Sequence, residues 1–218
     1  MIVGFAGKAA SGKTTAARKM ELELDRDTRI IPMAMLLRDE VDAFLRQIGA
    51  EKFVPLVYGS QEDKVRVFYV DESRAKDHCE KWVQFIDAHR EIQDRPGQTA
   101  VTVRRILQWW GTEYRRSQNP DYWTQAWEKK INQYDPDRTH ILIDDVRFSN
   151  ELNTIKGQGG LIVKIERPGF DGANNHASET SLDDYQDWDD VILNDGTLED
   201  FHRKVERLTA ELLKGNAR

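Results

Sequence analysis

Residues 7–14 read Gly-Lys-Ala-Ala-Ser-Gly-Lys-Thr, the spacing G-x-x-x-x-G-K-S/T of a phosphate-binding loop. Glycine is needed where a backbone wraps a polyanion, because a Cβ blocks close approach and the required dihedrals. The loop's N–H groups and the positive end of the following helix would face the phosphates of a nucleoside triphosphate. Lys13 would reach the β- and γ-phosphates, and the Thr14 hydroxyl would help hold Mg²⁺. Gly7, Lys8, Ala9, Ala10, Ser11, Gly12, Lys13, Thr14 and Thr15 together form the candidate triphosphate site.

A second set of residues supplies charge. Ile141-Leu142-Ile143-Asp144-Asp145 is an apolar strand ending in two carboxylates. Such strand ends are common in solvated turns, but beside a phosphate loop an acid here orients Mg²⁺. Strand pleat decides which one does so, and the reading favours Asp145, with Asp144 supporting it. Arginine offers the planar fork that phosphates prefer. The candidates are Arg104, Arg105, Arg115, Arg116, Arg147 and Arg167. Most surface arginines are only solvated, but Arg147 and Arg167 each follow a strand end, at the sheet edge where α/β ligands sit.

Trp109, Trp110, Trp123 and Trp127 cluster in the middle of the chain. Trp127 and one of the adjacent pair read as core, while Trp109, Trp110 or Trp123 is a candidate flat wall for a nucleobase. Asn194, in the turn Asn194-Asp195-Gly196, is a candidate for the adenine pocket. His176, Ser178 and Glu179 lack any nucleophile arrangement and read as a hydrogen-bonded loop.

These residues need elements to hold them. Strands are expected at 2–6, 29–33, 140–143, 161–165 and 191–193. Helices are expected at 15–24, 36–48, 62–67, 76–92, 103–114, 121–134, 150–156 and 197–213. Strands separated by helical crossovers imply an α/β fold with a mainly parallel five-stranded sheet and helices on both faces. The stretch between the second and third of these strands is too long for a plain crossover. The expectation is one domain with a core at about 1–35 and 139–218. A helical, acceptor-binding insertion would occupy about 36–138 beside the nucleotide site. The glycine- and asparagine-containing segment at about 167–180 reads as a lid, or equally as a plain surface loop.

The chain has 218 residues, with 32 basic and 38 acidic side chains and a formal charge of −6. That balance argues against a nucleic-acid partner, which takes a clustered basic surface. The longest apolar run, around 30–37, is far short of a membrane span. Cys79 is the sole cysteine, which precludes an internal disulfide and points to a reducing, cytoplasmic setting.

Four stretches carry a resemblance that spans nearly the whole chain, least so at residues 50–100. They are GFAGKAASGKTT at 4–15, TVRRILQWWGTEYRR at 102–116 with NPDYW at 119–123, DDVRFSNE at 144–151, and IERPG at 165–169 with HASE at 176–179. The chain resembles the bacteriophage-type deoxynucleoside monophosphate kinases, within the P-loop kinases. The resemblance implies transfer of the γ-phosphoryl group of ATP to a deoxynucleoside monophosphate, in host cytoplasm if phage-encoded. It also implies Mg²⁺, small-molecule nucleotide partners, no membrane, and an oligomeric state that leaves a homodimer open. On matching positions, Arg104, Glu113 and Arg116 would serve the monophosphate, with Asp145 and Arg147 serving metal and transition-state charge. Where the family often has Lys in an Ala-x-x-Leu-Lys context, this chain has Arg38, which would stand in for it. Arg115 replaces a common glycine, which leaves open whether Arg115 or Arg116 points inward. Two rivals share the loop: a kinase of the dephospho-coenzyme A or phosphomevalonate type, and a non-enzymatic nucleotide switch.

Overall fold

A computed structural model describes residues 1–24, 27–89, 95–170 and 176–215. In chain order the first half contains β1 (Ile2–Ala6), α1 (Lys13–Glu23), β2 (Asp27–Ile30), α2 (Met35–Gln47), α3 (Pro55–Tyr58), β3 (Phe68–Asp71), α4 (Glu72–His78), α5 (Trp82–Ala88) and β4 (Gln98–Val101). The second half contains α6 (Val103–Trp109), α7 (Tyr122–Ile131), β5 (Thr139–Val146), α8 (Ser149–Gly157), β6 (Leu161–Glu166), α9 (Ala177–Thr180), β7 (Asp190–Leu193) and α10 (Leu198–Gly215). The chain divides into two compact units, one of Met1–Met33 with Thr124–Arg218 and one of Ala34–Trp123.

The first unit is the α/β core. Its five strands run in the order β2-β5-β1-β6-β7, and every neighbouring pair is parallel. Alternation along β1 explains its packing. Val3 and Phe5 join Ala16, Ala17 and Met20 of α1 and Phe201, Val205 and Leu208 of α10 in one fully buried cluster. Gly4 points the other way, where a Cβ would stand only 2.9 Å from Ile155 of α8. Helices therefore cover both faces, and the side chain missing at Gly4 lets α8 close on the sheet.

One irregularity matters for the chemistry. Gly4 pairs with Ile143 and Ala6 with Val146, so one residue of β1 faces two of β5. That is a β-bulge, and its two extra-register residues are Asp144 and Asp145.

The second unit has its own core. Val41, Phe44 and Leu45 of α2 pack with Trp82, Phe85, Ile106, Trp109, Trp110 and Trp123. It is not purely helical, as expected from sequence, because β3 and β4 pair antiparallel within it. Neither strand was expected: both are only four residues long, and the surrounding charge hides their alternation. The helix expected at 103–114 is α6 continued by a π-helical turn over Trp110–Arg116. The boundary also differs from the expected 138 and falls inside α7. Trp127, 2% exposed, donates its indole N–H to Ile31 O in the core unit, which draws the rest of the helix there.

Candidate active site

The phosphate loop joins β1 to α1, and its backbone explains its sequence. Gly7 (φ 137°) and Gly12 (φ 113°) lie where side chains are strained. A Cβ on Gly7 would be 2.4 Å from Ile165 O, so the loop also needs glycine to pass β6. Ala10 adopts the left-handed region as well, at φ 61°. No side chain caps the start of α1, which leaves its first-turn N–H groups to an anion.

Lys13 is buried at 7% exposure, and its ammonium donates to Gly7 O at 2.8 Å and Lys8 O at 2.7 Å. Burial, reinforced by the nearby Arg147 guanidinium, pulls its pKa down from 10.5 to about 8. Thr14 is exposed and donates its hydroxyl to Asp144 Oδ2 at 2.7 Å. Thr15 is half-buried in the first turn of α1, and Ser11 is buried with no hydrogen-bond partner for its hydroxyl among the described residues.

The bulge in β5 decides which of the two carboxylates meets Thr14. Asp144, not Asp145, meets Thr14, and its Oδ1 is buried with no hydrogen-bond partner among the described residues. Asp145 Oδ1 instead accepts the Met33 N–H at 2.7 Å and ties the end of β2's segment to β5. A hydroxyl beside a carboxylate oxygen without a protein partner is a donor set suited to a hard cation. Among the described residues no group of three or more His, Cys, Asp or Glu side chains lies together as a metal cage. Mg²⁺ does not require one, because it keeps waters and takes phosphate oxygens.

Of the two arginines chosen for their strand ends, Arg167 contacts the loop directly, and Arg147 lies near enough to Lys13 to act on its charge. Arg167 donates to Ala10 O at 3.1 Å and stacks 4.0 Å over the Phe170 ring. The Arg147 guanidinium donates to Ser178 O at 2.9 Å and pairs with Glu179. Glu179 in turn accepts the Ala9 N–H at 3.1 Å, and the Lys8 ammonium donates to Glu179 O at 2.8 Å and pairs with Asp183. Asn194 sits behind the loop, donating its amide to Ser11 O at 2.8 Å, so that amide is a buttress and not a free adenine contact. The segment expected as a lid is described in part. Gly169 lies at φ 76°, while Gly172, Asn174 and Asn175 fall outside the described residues.

In the second unit the tryptophan expectation changes. Trp109, Trp110 and Trp123 are 3%, 5% and 3% exposed. The Trp110 indole donates to Glu40 Oε2 at 2.8 Å and that of Trp123 to Gly111 O at 2.9 Å. All three are core residues with no open ring face for a base. Sequence reasoning also missed Glu40, which accepts Trp110, Arg115 Nε at 2.8 Å and the Tyr122 hydroxyl at 2.5 Å. Arg115 is thereby fixed inward between Tyr114 and Tyr122, at 4.8 and 5.2 Å from their rings. Arg116 faces elsewhere, donating to Pro120 O at 3.1 Å. Arg104 donates to Gln61 at 2.6 Å, Glu113 is exposed on the π-helical turn, and Arg38 is half-buried in the first turns of α2. Cys79 is buried, and that burial pushes its thiol pKa up, away from reactivity.

The family model described as deoxynucleotide monophosphate kinase matches residues 47–205, which takes in the π-helical turn, β5 and the Glu179 segment. The chain belongs to the deoxynucleotide monophosphate kinase family. It is similar to a putative deoxynucleotide monophosphate kinase of Acanthamoeba polyphaga mimivirus, 26% identical over 219 residues and 94% of each chain. It is also similar to the deoxynucleotide monophosphate kinases of Escherichia phage RB69 and Enterobacteria phage T4. The first is 27% identical over 109 residues, 49% of this chain and 44% of the relative. The second is 26% identical over 139 residues, 62% of this chain and 55% of the relative. As a member of this family the chain is a phosphotransferase of nucleotide metabolism, an ATP-dependent deoxynucleotide monophosphate kinase. Among the described residues no helix is long and apolar enough to cross a membrane.

Proposed function

We propose that this kinase moves the γ-phosphoryl group of ATP to a deoxynucleoside 5′-monophosphate through the residues gathered at the phosphate loop. The observation that carries the reading is the convergence of Lys13, Arg147 and Arg167 on that loop from α1, β5 and β6. An oxygen of the acceptor phosphate attacks the γ-phosphorus while the bond to the β-phosphate bridging oxygen breaks, leaving ADP. No protein nucleophile takes part, so positioning and charge neutralisation do the work.

Lys13 and the loop N–H groups hold the β- and γ-phosphates. Arg147 neutralises charge that develops on the transferred group, and Arg167 adds a second fork. Thr14 and Asp144 would hold Mg²⁺, and Asp145 would support them through the backbone. When bound, the ion neutralises phosphate charge and holds its oxygens in place.

Arg104, Glu113 and Arg116 serve the acceptor monophosphate, with Arg38 as a further cation. Support for these comes from the family pattern and from Arg104 and Arg116 being partly buried, while Arg115 is held by its ion pair with Glu40. The lid is the segment at 167–180, whose described end at Glu179 is tied to the loop by Lys8 and the Ala9 N–H. An apolar wall at the sugar would give a deoxy preference of roughly ten- to hundred-fold, because a buried, unpaired 2′-hydroxyl costs about 1–3 kcal/mol.

The test is a coupled ATP-consumption assay with Mg²⁺ against the four common deoxynucleoside monophosphates and their ribo counterparts. Phosphorylation of at least one deoxy acceptor is expected. No turnover on any nucleotide, with activity on dephospho-coenzyme A or phosphomevalonate, overturns the reading.

A further inference from the structure

The segment His176–Thr180, at the described end of the proposed lid, carries a buried carboxylate beside the loop. The Glu179 side chain is only 5% exposed. Burying a carboxylate is costly unless both oxygens are satisfied, so its partners are informative. Oε2 accepts the Ala9 N–H of the phosphate loop at 3.1 Å. Oε1 takes Nη1 of Arg147. The same guanidinium nitrogen also donates to Ser178 O at 2.9 Å. One carboxylate therefore joins two groups from different elements, the loop after β1 and the arginine after β5.

The backbone of that arginine is fixed separately. Glu151, 4% exposed, accepts the N–H groups of Arg147 at 2.8 Å and Phe148 at 3.1 Å, closing the start of α8. Arg147 is thus held at two points, its backbone by Glu151 and one nitrogen of its fork by Glu179 and Ser178 O. Among the described residues its Nε and Nη2 make no hydrogen bond to protein. An arginine that must meet a phosphoryl group in a single geometry is served by such a clamp, since its ordering entropy is spent on folding.

We propose that Glu179 is a positioning residue for phosphoryl transfer, setting the Arg147 guanidinium against the phosphate loop by bridging it to the Ala9 N–H. Glu179 does not act as a base, because each of its oxygens is engaged by a donor. The assignment rests on Arg147 acting on the transferred group, as argued above. It predicts that the two residues work as one unit.

The experiment is a double-mutant cycle on the full chain, with saturating Mg²⁺ and steady-state kinetics for ATP and the best deoxynucleoside monophosphate. Glu179→Gln should lower kcat about ten- to hundred-fold, the scale of an ångström-level misplacement, and leave both KM values within about twofold, because the Gln amide oxygen can still accept the Ala9 N–H and Lys13 is unchanged. In an Arg147→Ala background the same change should cost almost nothing further. If Arg147→Ala alone leaves kcat unchanged, the mechanistic role of Arg147 fails. If Arg147→Ala is slow but Glu179→Gln retains normal kcat, or the two losses multiply, the positioning role fails while that of Arg147 stands. Glu179→Met, of similar length without an acceptor, repeats the cycle. Loss of the folding transition in both variants would make the carboxylate structural and also overturn the proposal.

Discussion

Asp144 and Asp145 are neighbours of identical chemistry with different partners, Thr14 for the first and the Met33 N–H for the second, so on the proposed metal role of Asp144 substituting each should separate metal binding from stability. Asp145 accepts the N–H of Met33, a residue 3% exposed, at 2.7 Å. Asp145→Ala leaves that buried donor unpaired, which costs about 1.5–3 kcal/mol for a hydrogen bond to a charged group. For a chain of this size that corresponds to a Tm lowered by about 3–12 °C. Asp144→Asn keeps an acceptor for the Thr14 hydroxyl but removes the charge from the oxygen that has no protein partner. Its Tm should stay close to that of the parent. The Mg²⁺ concentration for half-maximal rate should rise at least about tenfold, roughly 1.4 kcal/mol. Turnover at saturating Mg²⁺ should fall about 10²–10³-fold, on the scale of losing one preorganised electrostatic group. The assay is initial rate against Mg²⁺ at fixed ATP, with thermal unfolding of each variant alongside. An Asp145→Ala protein with a shifted Mg²⁺ titration, beside an Asp144→Asn protein with an unchanged one, refutes the assignment.

Three further outcomes follow from the geometry. The Lys13 pKa is lowered to about 8, so its charge is lost as pH rises through that value, whereas a bound triphosphate favours the ammonium. ATP binding should therefore weaken above about pH 8 with proton uptake, read by calorimetry in two buffers of different ionisation enthalpy, and a pH-independent affinity up to 9.5 would contradict it. Gly7→Ala should abolish ATP binding, measured by fluorescence titration, because its Cβ would lie 2.4 Å from Ile165 O at φ 137°. Glu40→Gln should destabilise the Ala34–Trp123 unit by about 1–3 kcal/mol, since three donors lose a charged acceptor. Chemical denaturation would show that loss, and an unchanged midpoint would deny Glu40 its organising role.

Much of the core unit was legible in the chain. Apolar runs at 2–6, 140–143 and 161–165 cannot be satisfied except in a buried parallel sheet, and the glycine spacing at 7 and 12 fits one kind of backbone turn. Arg147 and Arg167 lie just past the ends of β5 and β6 for a similar reason. Parallel strands all present their carboxyl ends at one edge, so a residue just past a strand is carried towards the ligand side.

What sequence could not give was decided by local departures from regular periods and by pairings distant in the chain. A strand pleat of period two favoured Asp145, but the bulge sets two residues of β5 against one of β1, so pleat parity no longer tells which carboxylate meets Thr14. The tryptophans are a matter of burial, and their indole partners, Glu40 and Gly111 O, lie 70 and 12 residues away. Arg115 and Arg116 are adjacent in a π-helical turn, where the helical period that would assign them to faces is itself altered. Glu179 is 32 residues from Arg147 and 170 from Ala9. In the chain it is one acidic residue in a polar stretch, and only the return of α9 to the phosphate loop turns it into a buried bridge. The chain thus determines by itself those features that follow from local backbone geometry and hydrophobic period. Which oxygen meets which donor depends on where distant segments land, and only the tertiary structure decides that.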